Sequence, residues 1–142
     1  MSRSRPSPRR GFSLIELLLV LVILSMLSGL VIFNVAGRAE KAKKTGAKAD
    51  ISSIETELDA YNVDNGAYPT SDEGLQALIT APGSAKSWQG PYLKRGIPKD
   101  PWGNPYEYRC PGQHNTTGFD LFSHGPNGQD AGGDEINNWA QP

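Results

Sequence analysis

The first third of the chain has one continuous apolar run, which extends from Leu17 to Phe33 and directly follows Glu16. Such a run is long enough for a membrane-spanning helix, which needs about 20 residues. A carboxylate five residues into a membrane segment costs about 3 kcal/mol on insertion scales, so we expect Glu16 to have a partner. Because the run itself contains no cation, we expect that partner on another molecule.

Beyond this run, apolar positions recur at intervals of three and four residues, which is typical of one buried helix face. The positions are Ala47, Ile51, Ile54, Leu58 and Tyr61. Asn65 and Gly66 then provide a stop, because Gly accepts the left-handed conformation that ends many helices. The pattern therefore predicts one long helix from Phe12 to about Asn65.

The remaining chain predicts short elements separated by ordered loops. Thr70 with Glu73 three residues later is typical of a helix start, and Pro82–Gly83 is expected to end that helix. Residues 106–110 alternate as a strand does, and residues 119–123 are the natural antiparallel partner. Tyr and Trp rings in the intervening turn-rich segments are expected to pack on the domain. Together these elements predict an α+β fold, with a long helix on a small loop-rich domain.

Composition limits the function further. The chain has 142 residues and a net charge of -1, so it leaves room for one small domain and does not suggest nucleic-acid binding. Its one cysteine, Cys110, excludes an intrachain disulfide. No nucleophile elbow, metalloprotease motif or phosphate loop is present, so we expect no enzyme. Cys110 with His114 and His124 lacks a recognised zinc-ligand spacing.

The charges that flank the apolar run do not settle its orientation. Four arginines precede it, and a basic cluster follows it closely. Counting Lys and Arg on each side therefore gives no clear topology. The cluster consists of Arg38, Lys41, Lys43, Lys44 and Lys48. It is interpreted either as a solvated helix face or as a contact for anionic headgroups or acidic neighbours.

The heptapeptide from Gly11 to Leu17 resembles the class III signal sequence of type IV pilins and pseudopilins. This resemblance implies that a prepilin peptidase cleaves after Gly11, that Phe12 becomes an N-methylated mature N-terminus, and that Glu16 is the buried acid used in assembly. Ser13 replaces the more common Thr and keeps the hydroxyl. The alternatives are an ordinary signal peptide, whose best cleavage site at residues 37–39 is poor, and a simple membrane anchor.

Several downstream segments occur in an order that is similar to the major pseudopilin family of the type II, or general, secretion pathway. They are residues 68–70, 73–78, 88–93, 100–108, 111–114 and 120–123. The resemblance implies a pilin-like fold with a leader at 1–11, a membrane and filament-core half-helix at 12–35, and a periplasmic domain at 36–142. Major type IV pilins often contain a C-terminal disulfide, so the single cysteine counts against that branch.

The same resemblance implies a function in protein transport. It implies a subunit that is held in the bacterial inner membrane by one span, with its C-terminal domain in the periplasm, and that forms a homo-oligomeric helical filament driving folded proteins across the outer membrane. The expected partners are minor pseudopilins, the prepilin peptidase, an inner-membrane assembly platform and, before assembly, membrane lipid. The alternatives are a type IV pilus-like pilin and a membrane-tethered calcium-binding domain.

A glycine-rich, oxygen-rich loop at residues 123–135 is a candidate calcium site. Calcium takes six to eight oxygen ligands, and glycines let backbone carbonyls join them. The residues alone equally fit a flexible acidic loop, but the pseudopilin resemblance implies bound calcium here. The predicted side-chain ligands are Asn127 and Asp134, then Asp130 or Glu135, with carbonyls of Leu121, Ser123 and Gln129. The family's usual Asp-Gly is Asn127-Gly128 here, and the loop is shorter, so weaker affinity is expected.

Overall fold

The computed structural model describes residues 11–129 and 133–139, without the side chains of residues 29–36. The chain divides into two compact units, Met1–Ala39 and Glu40–Pro142. Helix α1 runs from Leu14 to Asn65 and contributes to both units. In the second unit, three short strands follow, β1 at Glu107–Arg109, β2 at Asp120–Ser123 and β3 at Ile136–Asn137. The α+β prediction is confirmed.

Helix α1 ends where the sequence predicts. Gly66 adopts a φ of 80°, and its N–H donates to the Asn62 carbonyl at 2.7 Å. This left-handed residue stops the helix because residues with a Cβ rarely adopt that conformation.

The apolar stripe on the second half of α1 forms the centre of the core. Its five predicted members are all buried, with at most 3% of each residue exposed. They pack with residues from the loops and the sheet, namely Leu75, Ala77, Leu78, Tyr106, Tyr108, Phe119, Leu121 and Ile136. Each large apolar side chain buried in this way contributes about 1.5–3 kcal/mol relative to an exposed position.

The sheet is antiparallel, with the strand order β1-β2-β3. Tyr108 pairs with Leu121 and Glu107 with Phe122, which confirms the predicted hairpin partners. Strand β3 pairs Ile136 with Ser123 and places the C-terminal segment beside β2. The sequence analysis missed β3 because two residues are too few to show an alternating pattern.

The predicted second helix is wrong in length and type. Thr70 and Glu73 do exchange the expected hydrogen bonds, from Thr70 N–H to Glu73 Oε2 at 2.8 Å and from Glu73 N–H to Thr70 Oγ1 at 3.3 Å. However, Gly74 takes a φ of 58°, which a right-handed helix cannot continue through. A single 3₁₀ turn at Gly74–Leu78 forms instead of a helix that reaches Pro82.

Aromatic side chains hold the loops between this turn and the sheet, as predicted. Trp88 donates its indole N–H to the Ala77 carbonyl at 2.9 Å, and its ring meets that of Tyr92 edge to face. Tyr92 in turn donates to Asp64 Oδ2 at 2.7 Å, near the end of α1. These contacts hold the loop against the helix, although the loop itself has no regular secondary structure.

Candidate functional site

The segment around Glu16 forms the first turn of α1. The Ser13 carbonyl accepts hydrogen bonds from the N–H groups of Glu16, at 3.1 Å, and of Leu17, at 3.3 Å. Glu16 therefore lies where the helix dipole favours a negative charge. Gly11 and Phe12 precede the helix, and Phe12 is 82% exposed. Gly11 is exposed as well.

Every large apolar side chain from Leu14 to Leu27 is exposed, by 47–80%. A helix that is apolar on all sides is normally covered by lipid or by other protein. The hydroxyls within it are already satisfied, because Ser25 donates to the Val22 carbonyl at 2.8 Å and Ser28 to the Leu24 carbonyl at 2.7 Å. The surface from Leu14 to Leu27 therefore suits an apolar environment.

No stretch of helix in the described part of the chain meets the length and hydropathy expected of a membrane span.

Glu16 is the acidic exception on this apolar surface. Among the described residues, no Lys, Arg or His side chain forms an ion pair with its carboxylate. Its pairing with a group on another molecule stays a prediction.

The two principal predicted calcium ligands lie together. Asn127 Nδ2 donates to Asp134 Oδ1 at 2.8 Å, although seven residues separate them in the sequence. A 3₁₀ turn at Gly125–Asn127 carries Asn127 towards Asp134. Gly125 permits this approach, because it has a φ of 73° and a Cβ there would stand 2.6 Å from the Asp134 carbonyl oxygen.

The other predicted ligands have hydrogen bonds of their own, and Gln129 has one with this pair. Gln129 is tied to Asn127, since its N–H donates to Asn127 Oδ1 at 2.9 Å. Ser123 is fully buried, and its hydroxyl donates to Asp100 Oδ2 at 2.6 Å. The Leu121 carbonyl accepts a hydrogen bond from the Asn138 N–H at 3.1 Å, so this oxygen already has a backbone partner beside the sheet.

The two remaining acidic candidates are placed differently. Asp130 lies outside the described residues. Glu135 lines a small cleft of about 140 Å³ together with Arg109, His114 and Trp139. Glu135 therefore lines that cleft, whereas the side chains of Asn127 and Asp134 contact each other.

The Asn127–Asp134 pair fits a calcium ion by its chemistry. Both residues offer oxygen, which calcium prefers, and the glycine-rich backbone nearby can add carbonyl ligands. Rotation of the Asn127 amide would turn its oxygen towards an ion beside Asp134. In the described part of the chain, no three His, Cys, Asp or Glu side chains are grouped as metal ligands. A site here therefore depends on amide and backbone oxygen as well as on carboxylates.

Two buried carboxylates that the sequence analysis did not single out support this region. Asp100 Oδ1 accepts the N–H groups of Trp102, at 3.1 Å, and of Asn104, at 2.7 Å, while its other oxygen accepts from Ser123. Asp120 accepts backbone N–H groups from Gln113, His114 and Asn115. For Asp100 the available signal was an Asp followed by Pro101 and Gly103, which is typical of side-chain-capped turns.

The ionisation of Asp120 is set by opposing effects. Burial raises the pKa of its carboxyl, but the hydrogen bonds from the backbone N–H groups of His114, Asn115 and Gln113 outweigh burial, so the pKa is lower than usual. A side-chain contact with His114 Nδ1 at 3.2 Å acts in the same direction. The charged carboxylate of Asp120 therefore holds the backbone of residues 113–115 in place by accepting their hydrogen bonds.

Family models match nearly the whole chain. Residues 34–139 match the model described as type II secretion system (T2SS), protein G. Residues 6–32 match the prokaryotic N-terminal methylation motif, which includes Gly11, Phe12 and Glu16.

Individual proteins give the same result. The chain is 46% identical over 136 residues to the type II secretion system core protein G of Pseudomonas aeruginosa, covering 91% of this chain and 94% of that protein. It is 43% identical over 135 residues to the protein of the same name from Klebsiella pneumoniae, with coverage of 92% and 94%. The fold is similar to the crystal structure of the major pseudopilin of the type 2 secretion system of enterohaemorrhagic Escherichia coli, with a TM-score of 0.66 and 36% identity. That match covers 75% of this chain and 94% of the other.

Proposed function

The chain belongs to the protein G family of type II secretion systems, and from that premise we propose that it is the major structural subunit of a secretion pseudopilus. The observation that carries this proposal is the exposed apolar helix of residues 14–27 with Glu16 in its first turn. Such a surface needs lipid before assembly and other helices after it. A compact domain at residues 40–142 would then form the outside of the filament.

We further propose that a prepilin peptidase removes residues 1–11 and that Phe12 is methylated. The mature subunit would wait in the inner membrane, with residues 12–35 in the bilayer and its domain in the periplasm. Minor pseudopilins and an inner-membrane assembly platform would be its partners in building the filament. The role is structural, with no catalytic step assigned to the subunit.

Glu16 would direct the helix into the filament. Its carboxylate would meet the amino group of Phe12 on a neighbouring copy, within a water-poor helical core. Opposite charges attract strongly where water is excluded, and a lone carboxylate there is penalised. Hydrophobicity contributes little between helices in lipid, so a charge pair of this kind can set their register.

Calcium binding at Asn127 and Asp134 is part of the proposal. The contact between their side chains supports it, since two oxygen-bearing groups from opposite ends of the loop already meet. A bound ion would join the loop to β2 and would stabilise the folded domain by mass action.

The first prediction tests the role of Glu16 in assembly. Glu16→Ala should leave leader cleavage and membrane insertion intact but abolish most filament formation and secretion. The measurement is filament yield and exported protein in cells that contain the assembly platform but lack their own copy of this subunit.

Ser25→Ala is the matched control, because it also removes a polar group from the apolar helix, but one whose hydrogen bond lies within the helix. This control should assemble normally. Normal secretion by Glu16→Ala would contradict the pairing role. A wild-type chain that stays monomeric with the platform present would instead favour a membrane-tethered calcium-binding domain.

A further inference from the structure

A basic segment follows the apolar helix and has no assigned role. Between residues 38 and 48, five cations accompany one acid, Glu40, which gives a net charge of +4. The cations are Arg38, Lys41, Lys43, Lys44 and Lys48. From residue 49 to residue 85 there is no Lys or Arg, while the rest of α1 carries five acids. The charges of this helix are therefore separated along its length rather than mixed.

Four of the five cations share one face of α1. Arg38, Lys41, Lys44 and Lys48 are spaced by three, three and four residues, which places them one above another on a helix. Lys41 and Lys48 are exposed, and Lys44 is half-buried. Like charges at such spacing repel each other and destabilise the helix unless an anion neutralises them.

The chain does not supply that anion within its described part. None of the four lysines of the segment forms an ion pair with a described carboxylate. A solvated helix usually relieves such repulsion with acids placed three or four residues away. Here Glu40, three residues before Lys43 and four before Lys44, is the one acid of the segment, and it leaves a net charge of +4.

The position of the basic segment points to its partner. Residues 17–37 contain no charged side chain, and 21 helical residues span about 32 Å, close to the ~30 Å hydrocarbon thickness of a bilayer. Arg38, the first cation, therefore lies just beyond the point at which such a helix leaves the hydrocarbon. Residues 38–48 cover a further 16 Å or so, which corresponds to the headgroup layer and about one Debye length beyond it.

A second copy of the chain is a less suitable partner, because three of the five helix acids already accept hydrogen bonds. Asp50 accepts from the Tyr106 hydroxyl at 2.9 Å. Asp59 accepts from Tyr68 at 2.8 Å, and Asp64 accepts from Tyr92. These contacts hold the carboxylates against their own domain.

We propose that residues 38–48 form a headgroup-binding collar that selects anionic phospholipids while the subunit is in the membrane. The inference rests on the proposed membrane insertion of residues 12–35. The collar would hold the subunit at a defined depth, with the acidic stretch beyond Lys48 repelled from the same surface. Release of the headgroups would accompany entry into the filament.

The test measures headgroup selectivity with the full chain in phosphatidylcholine vesicles. Spin-labelled phosphatidylglycerol and spin-labelled phosphatidylcholine are compared by the fraction that the protein immobilises. The wild-type chain should prefer the anionic lipid by at least about threefold, since several cations act together near the surface. Sodium chloride at about 0.5 M should remove most of that preference by screening.

The variant Lys41→Gln, Lys43→Gln, Lys44→Gln and Lys48→Gln should lose the preference. A matched control removes four charges elsewhere, by Lys86→Gln, Lys94→Gln, Arg95→Gln and Lys99→Gln, and should keep it. Vesicle flotation reports insertion separately, so a chain that fails to float refutes the membrane proposal rather than the collar.

Equal immobilisation of the two lipids by the wild-type chain would overturn the collar. An unchanged preference in the Lys41–Lys48 variant would also overturn it, and loss of self-association in that variant would then assign the segment to contacts between copies. Should the variant misfold, the salt series on the wild-type chain decides, because a preference that survives high salt excludes a headgroup charge contact.

Discussion

Asp100 and Asp120 show how single buried carboxylates replace regular structure in this domain. Each accepts hydrogen bonds from backbone N–H groups of a turn, and Asp100 also accepts one from Ser123 in β2. Asp120 is 2% exposed, so its charge is stable only because donors surround it. Removing such an acceptor leaves several buried N–H groups without a hydrogen-bond partner, and each unsatisfied group costs about 1–3 kcal/mol of folding free energy.

The second prediction is a dependence of stability on pH that originates at Asp120. Its pKa in the folded chain lies below the ordinary value of 3.8. The stabilisation it contributes is therefore complete above about pH 4 and is lost as the pH falls through the lower, folded-state pKa. In Asp120→Asn, the fall in melting temperature between about pH 6 and pH 3 should be smaller than in the wild-type chain.

The exposed Asp72 provides the control for this measurement. Asp72→Asn should keep the wild-type response to acid, because among the described residues no such set of backbone N–H groups donates to the Asp72 carboxylate. The same acid-induced fall in Asp120→Asn and in the wild-type chain would show that other groups cause it.

At the scale of elements, one helix carries two different patterns for two environments. Residues 14–27 expose apolar side chains, whereas the positions from Ala47 to Tyr61 bury one face and leave the opposite face polar. The described part of the loop after β2 differs from both, because glycines and polar contacts shape it rather than apolar packing. With little apolar packing in that described part, a bound ion would contribute substantially to its order.

The third prediction is that calcium stabilises this loop. At a concentration 100 times the dissociation constant, calcium should add about 2.7 kcal/mol to the free energy of unfolding. Asp134→Ala should remove the calcium-dependent rise in melting temperature, and Asp72→Ala should retain it. Asn127→Asp should lower the calcium concentration that is needed, because it adds a charged ligand.

Magnesium at equal concentration is the ionic control and should have a smaller effect, since it keeps its waters and demands strict octahedral geometry. A wild-type melting temperature that is the same in calcium and in chelator would contradict the site. The loop would then be held by its hydrogen bonds, such as those of Asn127 with Asp134 and with Gln129, without an ion.

At the scale of the whole molecule, the two compact units have separate tasks in the proposed function. The first contains the N-terminal methylation motif and the exposed apolar helix, and the second contains the core, the sheet and the candidate calcium loop. The basic segment, from Arg38 to Lys48, lies at the start of the second unit and just before it.

The fourth prediction concerns processing of the whole chain. In cells with a prepilin peptidase, mass spectrometry should find a mature subunit that begins at a methylated Phe12. Gly11→Val should accumulate as the uncleaved form, because a branched side chain does not fit a peptidase site built around Gly. Ser13→Thr, which restores the residue more common in related motifs, should be cleaved normally. A mature start at Met1 or Ala39 would refute this processing.

Local sequence determined the features that depend on near neighbours. The spacing of Ala47, Ile51, Ile54, Leu58 and Tyr61 predicted a buried face because helix geometry places residues three and four apart together. Gly66 predicted the helix end, and residues 106–110 and 119–123 predicted a hairpin, because each follows from backbone preferences over a few residues. The motif from Gly11 to Leu17 was equally local.

Tertiary structure alone decided what depends on distant contacts. The sequence suggested an α-helix after Thr70, but the left-handed Gly74 reduced it to one 3₁₀ turn. Strand β3 exists because β2 offers it an edge, and the roles of Asp100 and Asp120 arise from donors brought to them by folding. The contact of Asn127 with Asp134 likewise required Gly125 to turn the chain. Apart from the local turn at Asp100, these contacts join residues whose sequence separation carries no periodic signal, so no pattern along the chain predicts them.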